Sequence, residues 1–368
     1  MSAELDSQEV RVSGDNPYTG LNERAYWRTA VAARSPFDIS QLWTPKFLID
    51  PADAVCTYGS CFAQHIGKAL KARGFSWHIA ESTPAGCPNS VGITFGYGIF
   101  SARTGNIYTT SLLRQWLSWA TGDVSVPLEV WQDKDRYVDP FRPAIEPRGF
   151  AAVDELRASR QFAIDCFAKS IADSKYLVFT LGLTESWFNR DAQFEYAVCP
   201  GTVAGLFDAS QHVFVNQDYG MVLDGLNAAL ALVRRINPQI RVILTVSPVP
   251  LTATASGAHV LVATMHSKSI LRAVAGQMAA SHDWIDYFPS YEIINSPSFC
   301  GMFFEPNKRS VNPAGVAFVM DAFFEGMPGG TEKRVAARKP RSDRPARDVN
   351  SAGDVCEEAL LDAFGPAT

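Results

Sequence analysis

The chain has 368 residues, of which 47% are hydrophobic and 19% charged, so it can hold one large α/β domain or two small ones. A formal net charge of −5 gives no general reason to expect nucleic-acid binding. No apolar run approaches the ~20 residues that cross a bilayer, and the acidic, polar start of the chain does not resemble a signal peptide. Seven scattered cysteines without a C-x-x-C pair favour neither a metal site nor a disulfide framework. We therefore expect a soluble, cytoplasmic protein with reduced thiols, no metal and no cofactor.

Short apolar runs and helical periodicities alternate along most of the chain. The runs predict strands at 54–58, 76–80, 175–181, 241–247 and 284–288, of which 76–80 is the weakest. The periodic stretches predict helices near 61–73, 109–121, 151–173, 220–236, 261–281 and 313–325. Such alternation indicates a parallel sheet covered by helices on both faces. Two irregular stretches, 123–150 and 188–218, are either binding loops or ordinary surface packing.

These elements divide the chain into three parts. Residues 1–50 form an irregular leader that we expect to wrap the domain, 51–327 form the α/β domain, and 328–368 form a basic linker with a short terminal helix. The linker is basic because seven Lys or Arg residues lie within 331–347. The amphipathic residues 354–364 either dock onto a partner or a second subunit or, as we favour, pack back onto their own domain or fray.

The most informative segment is Gly59–Ala63, which reads Gly-Ser-Cys-Phe-Ala. It follows a predicted strand and precedes a helical pattern, which is how an α/β fold presents a reactive group at the carboxyl edge of its sheet. Such a turn would present the Ser60 hydroxyl or the Cys61 thiol. The N–H groups at the helix start would lower the pKa of a thiol and stabilise an oxyanion. The alternative for Cys61 is a buried residue that only fills space.

These five residues and four later blocks resemble the GSCFA-domain proteins, which look like a branch of the SGNH (GDSL-like) hydrolases and acyltransferases. The later blocks are 180–187, 247–249, 267–268 and 287–292, and they occur in the family's order across roughly residues 15–326. The resemblance implies a three-layer α/β/α, flavodoxin-like fold with a central parallel sheet of about five strands. It also implies activity on acyl esters.

The same resemblance implies a position for the nucleophile. Aligned with the Gly-Asp-Ser of SGNH enzymes, Cys61 takes the place of the nucleophile and Ser60 takes the place of Asp. A shift of one residue would make Ser60 the nucleophile instead. A thiolate is the stronger nucleophile near neutral pH, which favours Cys61.

Donors for an oxyanion are expected from two other loops at the same sheet edge. Gly105 and Asn106 precede a predicted helix and are the first candidates, although Gly-Asn is also a common tight turn. Gly182 and Thr184 follow the next predicted strand. Thr184 stands where SGNH enzymes usually carry Asn, so its hydroxyl or N–H would have to donate. Glu185 would orient the substrate or a catalytic histidine, or else cap the following turn.

The general base is harder to assign. SGNH enzymes usually place an Asp-x-x-His pair just before the last helix, and here Asn307 and Ser310 occupy those positions. Neither side chain can act as a base at neutral pH. We expect a replacement among the histidines, in the order His259, His266 and His65. A thiolate that is already ionised would need little help from a base, and a protein that is not an enzyme would need none.

Lys268 and Tyr291 complete the set of candidates. Adjacent helical residues point about 100° apart, so Lys268 cannot pair with Ser267, but it would offer a positive charge to a substrate or an oxyanion. Tyr291 follows the last predicted strand and would bind a substrate hydroxyl. We predict an acyl ester hydrolase or O-acyltransferase that acts on a saccharide or glycoconjugate through a covalent acyl-enzyme. The alternative is a catalytically degenerate fold that binds a glycan or a protein.

Overall fold

The computed structural model describes residues 16–328 and 357–365. The chain divides into two compact units, Met1–Gln41 and Leu42–Thr368. The described part of the first unit contains three short helices, Glu23–Ala25, Arg28–Ala32 and Pro36–Asp38. The predicted basic linker at 331–347 lies outside the described residues. The predicted terminal helix is present as the 3₁₀ helix Glu357–Phe364, which we call the terminal segment.

The second unit contains all the strands and the longer helices of the described residues. Its strands are β1 (Val55–Gly59), β2 (Trp131–Asp133), β3 (Arg136–Val138), β4 (Tyr176–Leu181), β5 (Glu185–Asn189), β6 (Glu195–Tyr196), β7 (His212–Asn216), β8 (Arg241–Val246) and β9 (Ile285–Phe288). Its helices are α1 (Ala63–Ala72), α2 (Asn89–Thr94), α3 (Thr110–Ala120), α4 (Val153–Ala172), α5 (Tyr219–Ile236), α6 (Val260–Ser281), α7 (Ser290–Asn295) and α8 (Pro313–Phe324). The six helices predicted between 61 and 325 are confirmed as α1, α3, α4, α5, α6 and α8. Within the described ranges, no helix is long and apolar enough to cross a bilayer.

Four parallel strands form the central sheet in the order β1–β4–β8–β9. The register aligns Tyr58 with Phe179, Phe179 with Leu244, and Leu244 with Tyr287. Every residue of these strands is buried except Arg241 at the start of β8. Such continuous burial is typical of a parallel sheet with helices on both faces, as the sequence predicts.

The prediction of a fifth strand at 76–80 is wrong. Trp77 makes a single bridge to Val55 beside β1. The chain then turns away, because the Ala80 N–H donates to the Ser101 carbonyl oxygen at 2.8 Å. The Trp77 ring fills the space over Gly67 of α1, where a Cβ atom would lie 2.4 Å from the ring. Trp77 therefore packs against α1 at the edge of the sheet and does not begin a fifth strand.

Each face of the sheet packs against its own helices. On one face, Tyr58 and Phe179 belong to a core shared with α3, α4, α5 and α6, and Tyr58 meets the Phe167 ring at 4.7 Å. On the other face, Phe288 of β9 meets Phe323 of α8 at 5.0 Å. Large aromatic rings contribute much of the apolar burial that stabilises such layers. The predicted three-layer α/β/α fold is confirmed, with four strands in place of five.

The two stretches predicted to be irregular contain small antiparallel sheets. β2 and β3 pair as a hairpin, and β5, β6 and β7 form a three-stranded sheet in the order β6–β5–β7. Trp187 of β5 lies opposite Tyr196 of β6 in this sheet. Both side chains line a cavity beside the central sheet, so this region bounds the candidate site.

Candidate active site

The turn that carries the candidate nucleophiles begins where β1 ends. Gly59 has a φ of +130°, and a Cβ atom there would lie 2.3 Å from the Thr180 carbonyl oxygen, so only glycine fits. The same oxygen accepts the Ser60 N–H at 3.0 Å, which ties the turn to β4. Helix α1 starts at Ala63. Ser60 and Cys61 therefore lie between a strand end and a helix start, as predicted.

Ser60 and Cys61 line a small cavity at this edge of the sheet. Their side chains are buried, with 2% and 7% exposed. The Ser60 hydroxyl has no hydrogen-bond partner among the described residues. The cavity measures about 10 Å³, which is about the space of one water molecule. Its lining residues are Ser60, Cys61, Tyr108, Gly182, Leu183, Ser247, Val249, Leu251 and Lys268.

Lys268 contributes a buried amine to the lining of this cavity. It lies on α6, is 2% exposed, and donates to the Gly182 carbonyl oxygen at 2.6 Å. Its neighbour Ser267 accepts the Thr184 N–H at 3.0 Å, so both residues hold the loop after β4. If protonated, the Lys268 amine would favour a thiolate or an oxyanion beside it. Lys268 thus lines the cavity that contains both candidate nucleophiles.

Gly182 and Thr184 do not fit the predicted role of oxyanion donors. The Gly182 N–H donates to the Tyr108 carbonyl oxygen at 2.9 Å. The Thr184 hydroxyl donates to Asn216 at 2.7 Å, and its N–H is held by the α6 serine. A Cβ atom at Gly182 would lie 3.0 Å from the Tyr108 carbonyl oxygen and 3.1 Å from the Ser60 Cβ, so the loop packs closely over the turn. These residues therefore shape the loop that closes over the turn.

Gly105 and Asn106 lie on a loop that is fixed beside the turn. Ile107 donates its N–H to the Gly59 carbonyl oxygen at 2.9 Å. Gly105 has a φ of +69°, which glycine adopts without strain. The Asn106 side chain is buried, and its amide donates to the Glu357 carboxylate of the terminal segment. The loop therefore places Asn106 next to the nucleophile turn, and the Glu357 carboxylate accepts a hydrogen bond from the Asn106 amide.

A cluster of buried charged residues holds the Gly105–Asn106 loop in position. Asp139 pairs with Arg142 and Arg160, each at 2.9 Å, and all three residues are buried. Arg142 also donates to the Arg103 carbonyl oxygen at 3.2 Å. Burial opposes ionisation of Asp139, but the two guanidinium groups outweigh it and hold the pKa of that carboxyl below its usual value. The position of the Gly105–Asn106 loop thus depends on a charged cluster.

The predicted histidine base lies outside the cavity. His259 caps the start of α6, where its Nδ1 accepts the Leu261 N–H at 3.2 Å, and the residue is exposed. His266 is exposed on the same helix, and His65 is half-buried against the Phe62 ring. The assignment of His259 as the base is therefore not supported, because its ring serves a helix cap.

The segment that would hold the Asp-x-x-His pair is a surface turn. The Asn307 side-chain oxygen accepts the N–H groups of Arg309 at 3.0 Å and Ser310 at 2.9 Å. Its amide donates to the Ser310 hydroxyl at 3.0 Å. A bridge between Phe304 and Val311 closes the turn. Asn307 and Ser310 therefore stabilise local backbone structure, as Asn commonly does in turns.

A larger cavity of about 210 Å³ adjoins the small one. The two share Tyr108, Leu183 and Leu251 as lining residues. Other apolar groups around the larger cavity are Leu112, Trp187, Tyr196, Ala197, Val198, Ala253, Ala255 and Leu361. Concave, mostly apolar spaces with a few polar groups are typical of small-molecule sites.

Glu185 and Tyr291 occupy different surroundings. Glu185 is half-buried at the larger cavity, and its carboxylate accepts hydrogen bonds from the Thr254 hydroxyl and the Ala255 N–H (3.2 Å). Tyr291 lies on α7 outside both cavities, and its hydroxyl is 4.0 Å from the Met265 sulfur. Glu185 thus lines the larger cavity, whereas Tyr291 lines neither of the two cavities.

Two further carboxylates at the larger cavity were not indicated by the sequence. Glu195 is buried and accepts the Thr109 hydroxyl at 2.5 Å, and burial raises its pKa to about 7. Glu357 is 5% exposed and accepts hydrogen bonds from Asn106 and from the Tyr108 hydroxyl (3.1 Å). Neither residue belongs to a sequence motif. The hydrogen-bond partners of each lie far away in the sequence, so no local pattern marks them.

The fold and the turn define an α/β protein with candidate nucleophiles at the carboxyl edge of a parallel sheet. The sequence model described as the GSCFA family matches residues 54–323, and the chain therefore belongs to this family. No curated protein matches the sequence. Among solved structures, a Clostridium thermocellum family 3 carbohydrate esterase is similar at 7% identity and a TM-score of 0.27, over 74% of this chain and 94% of that chain. So distant a similarity carries no argument about function.

Proposed function

We propose that this GSCFA protein is an SGNH-like acyl ester hydrolase or O-acyltransferase that forms a covalent acyl-enzyme at Cys61. The observation that carries the proposal is the cavity shared by Ser60, Cys61 and the buried Lys268. A helix start and an adjacent ammonium group both favour a thiolate. A thiolate needs no separate base to become a nucleophile. The proposal is therefore compatible with histidines that lie outside the cavity.

In the proposed reaction, the Cys61 sulfur attacks the acyl carbonyl carbon, and a thioester bond forms as the ester C–O bond breaks. The developing oxyanion is stabilised by the Lys268 ammonium group. The leaving alkoxide takes a proton from Lys268. Water in hydrolysis, or an acceptor hydroxyl in transfer, then attacks the thioester and returns a proton to Lys268. The thiolate leaves, so each cycle restores both groups.

The larger cavity supports the choice of acyl group. It adjoins the nucleophile cavity, and its apolar walls and volume of about 210 Å³ suit a short acyl chain. Glu185 supplies a polar contact at the same cavity for a hydroxylated acceptor. The SGNH resemblance suggests a saccharide or glycoconjugate as that acceptor, which is an inference from the fold alone.

Ser60 is the alternative nucleophile of the same site. Its buried hydroxyl has no hydrogen-bond partner in the described part of the chain, whereas buried hydroxyls normally have one. In this version a neutral Lys268 accepts the Ser60 proton before attack, as a lysine with a lowered pKa can do in a buried site. The two versions use the same cavity and differ in the atom that becomes acylated.

Hydrolysis of p-nitrophenyl acetate and hexanoate by the full chain tests the proposal. We expect Cys61→Ala to lower kcat/KM at least about a thousand-fold, because the covalent step is lost. Ser60→Ala should retain most of the activity. Cys166→Ala is the matched control, since this thiol is buried on α4 and outside both cavities. Inactivity of Ser60→Ala alone would favour the serine version, and full activity of both variants would refute the proposal.

A catalytically degenerate fold that binds a glycan or a protein is the second candidate. The observation that favours it is the surface turn where Asn307 and Ser310 replace the Asp-x-x-His pair. This reading predicts ligand binding of equal affinity in the wild type and in Cys61→Ala. It also predicts no ester turnover and no burst of released alcohol. Calorimetry with oligosaccharides and stopped-flow assays with activated esters separate the two functions.

A further inference from the structure

The terminal segment places two side chains against the candidate site. The Glu357 carboxylate is buried and accepts hydrogen bonds from the Asn106 side-chain amide and from the Tyr108 hydroxyl at 3.1 Å. A Cβ atom on Gly105 would lie 3.6 Å from the same carboxylate, so the loop closes around it. Leu361 of the same segment lines the larger cavity. One short helix thus contributes a carboxylate and an apolar group to adjoining parts of the site.

The two donors belong to the nucleophile's surroundings. The residue between them, Ile107, donates its N–H to the Gly59 carbonyl oxygen at the start of the turn. Tyr108 also lines the small cavity together with Ser60 and Cys61. The Glu357 carboxylate has the two oxygens on one carbon that an ester or a released acid has. It therefore resembles the acyl end of the ligand class proposed above.

We propose that Asn106 and Tyr108 form a binding site for the carbonyl or free carboxylate of an acyl ligand, and that the terminal segment occupies this site as an internal competitor. The ligand class rests on the proposed function. Glu357 takes the place of the ligand's carboxyl group, and Leu361 narrows the larger cavity that would receive its acyl chain. A ligand binds when the segment leaves, so its apparent dissociation constant equals the intrinsic constant divided by the fraction of molecules in which the segment is undocked.

The contacts of the terminal segment suit a competitor that can be displaced. An amide and a hydroxyl are neutral donors, and they hold a carboxylate less strongly than a guanidinium group does. Leu360 and Phe364 of the segment are 48% and 65% exposed, so they add little apolar burial. A 3₁₀ helix also has poorer hydrogen-bond geometry than an α-helix. Among the described side chains of the segment, Glu357 and Leu361 are the ones that contact the site.

Binding of hexanoate to the full chain, measured by calorimetry, tests the competition. We expect Glu357→Ala to lower the dissociation constant for hexanoate at least about tenfold, which corresponds to a segment docked in about nine molecules of ten. Asp362→Ala is the matched control, because this residue is exposed in the same segment. Glu357→Gln keeps the shape without the charge and should give a smaller change in the same direction. Equal affinity in the wild type and Glu357→Ala, or no binding by Glu357→Ala, would overturn the proposal.

Hydrogen exchange followed by mass spectrometry gives a readout that is independent of ligand. Peptides that cover 357–365 should exchange faster in Glu357→Ala than in the wild type, while Asp362→Ala should match the wild type. Unchanged exchange in Glu357→Ala would show that the carboxylate does not hold the segment. The double variant with Cys61→Ala should bind hexanoate as tightly as Glu357→Ala alone, because this binding needs no nucleophile. Tighter hexanoate binding without ester turnover would contradict the proposed enzyme and still support the internal competitor.

Discussion

The nucleophile turn at 59–61 and the surface turn at 304–311 are the two places where the SGNH pattern expects reactive side chains, and their surroundings differ. The first is buried, is tied to β4 through Thr180, and shares a cavity with Lys268. The second is partly exposed and is held mainly by its own hydrogen bonds around Asn307. Contacts with distant parts of the chain fix the orientation of reactive side chains. The side chains of a turn that is held by its own hydrogen bonds can be replaced with little loss of stability. The side chains that we propose to react therefore lie at the buried turn.

The largest expected effect is the loss of stability when the Asp139 carboxylate, which pairs with two buried arginines, is removed. Asp139→Asn should lower the free energy of unfolding by about 3–5 kcal/mol, because Arg142 and Arg160 lose their buried carboxylate. Asp123→Asn is the control, since its pair with Arg235 is solvent-exposed and its loss should change stability little. Urea denaturation at pH 7 measures both. Equal, small changes in the two variants would show that the cluster does not brace the loop.

Loss of the positive charge in the small cavity should lower activity next. Lys268→Met should reduce kcat/KM about 100- to 1,000-fold, the effect of removing one donor from an oxyanion site. Lys268→Arg keeps the charge and should retain more activity. Lys169→Met, which changes an exposed lysine paired with Asp173 on α4, is the control. Activity of Lys268→Met within about threefold of the wild type would separate Lys268 from the chemistry.

Glu195 gives a pH-dependent test of the larger cavity. Burial raises its pKa to about 7, so the folded state favours the protonated carboxyl. Its contribution to stability is complete below the unfolded pKa of about 4.3 and is lost as pH rises through about 7. The wild type should thus lose up to roughly 3 kcal/mol relative to Glu195→Gln between pH 5 and pH 8. Parallel stability profiles for the two proteins would show that Glu195 does not titrate in this range.

The smallest effect should come from the surface turn. Asn307→Ala and Ser310→Ala should each lower the free energy of unfolding by about 1 kcal/mol or less, because each removes exposed hydrogen bonds. Both variants should keep kcat/KM within about twofold of the wild type. A large loss of activity in Ser310→Ala would place catalysis at this turn and reverse the comparison between the two regions.

Much of the fold follows from local patterns in the sequence. Four of the five predicted strands and all six predicted helices appear, because apolar runs and helical periodicity report burial directly. The exception is 76–80, where one tryptophan packs over Gly67 and a neighbouring backbone bond draws the chain away. That outcome depends on tertiary contacts that no local pattern records.

The candidate site was predictable only in part, for the same reason. The strand–turn–helix pattern located Ser60 and Cys61, and the family blocks pointed to Lys268. No local pattern shows that Thr184 donates its N–H to Ser267 and its hydroxyl to Asn216, or that His259 caps a helix. These assignments depend on partners from distant elements. Glu357 is the extreme case, since it lies outside the family-matched region and its partner Asn106 lies inside that region, 251 positions earlier in the sequence.

The most direct test of the central claim is the mass of the intact protein after brief exposure to p-nitrophenyl hexanoate, with peptide mapping of any adduct. The account predicts one hexanoyl group on Cys61, its absence in Cys61→Ala, and its presence in Cys166→Ala. The same group on Ser60 would keep the enzyme class and change the nucleophile. A folded wild-type protein with no adduct on either residue, and with an unchanged mass at every time point, would contradict covalent catalysis at this turn.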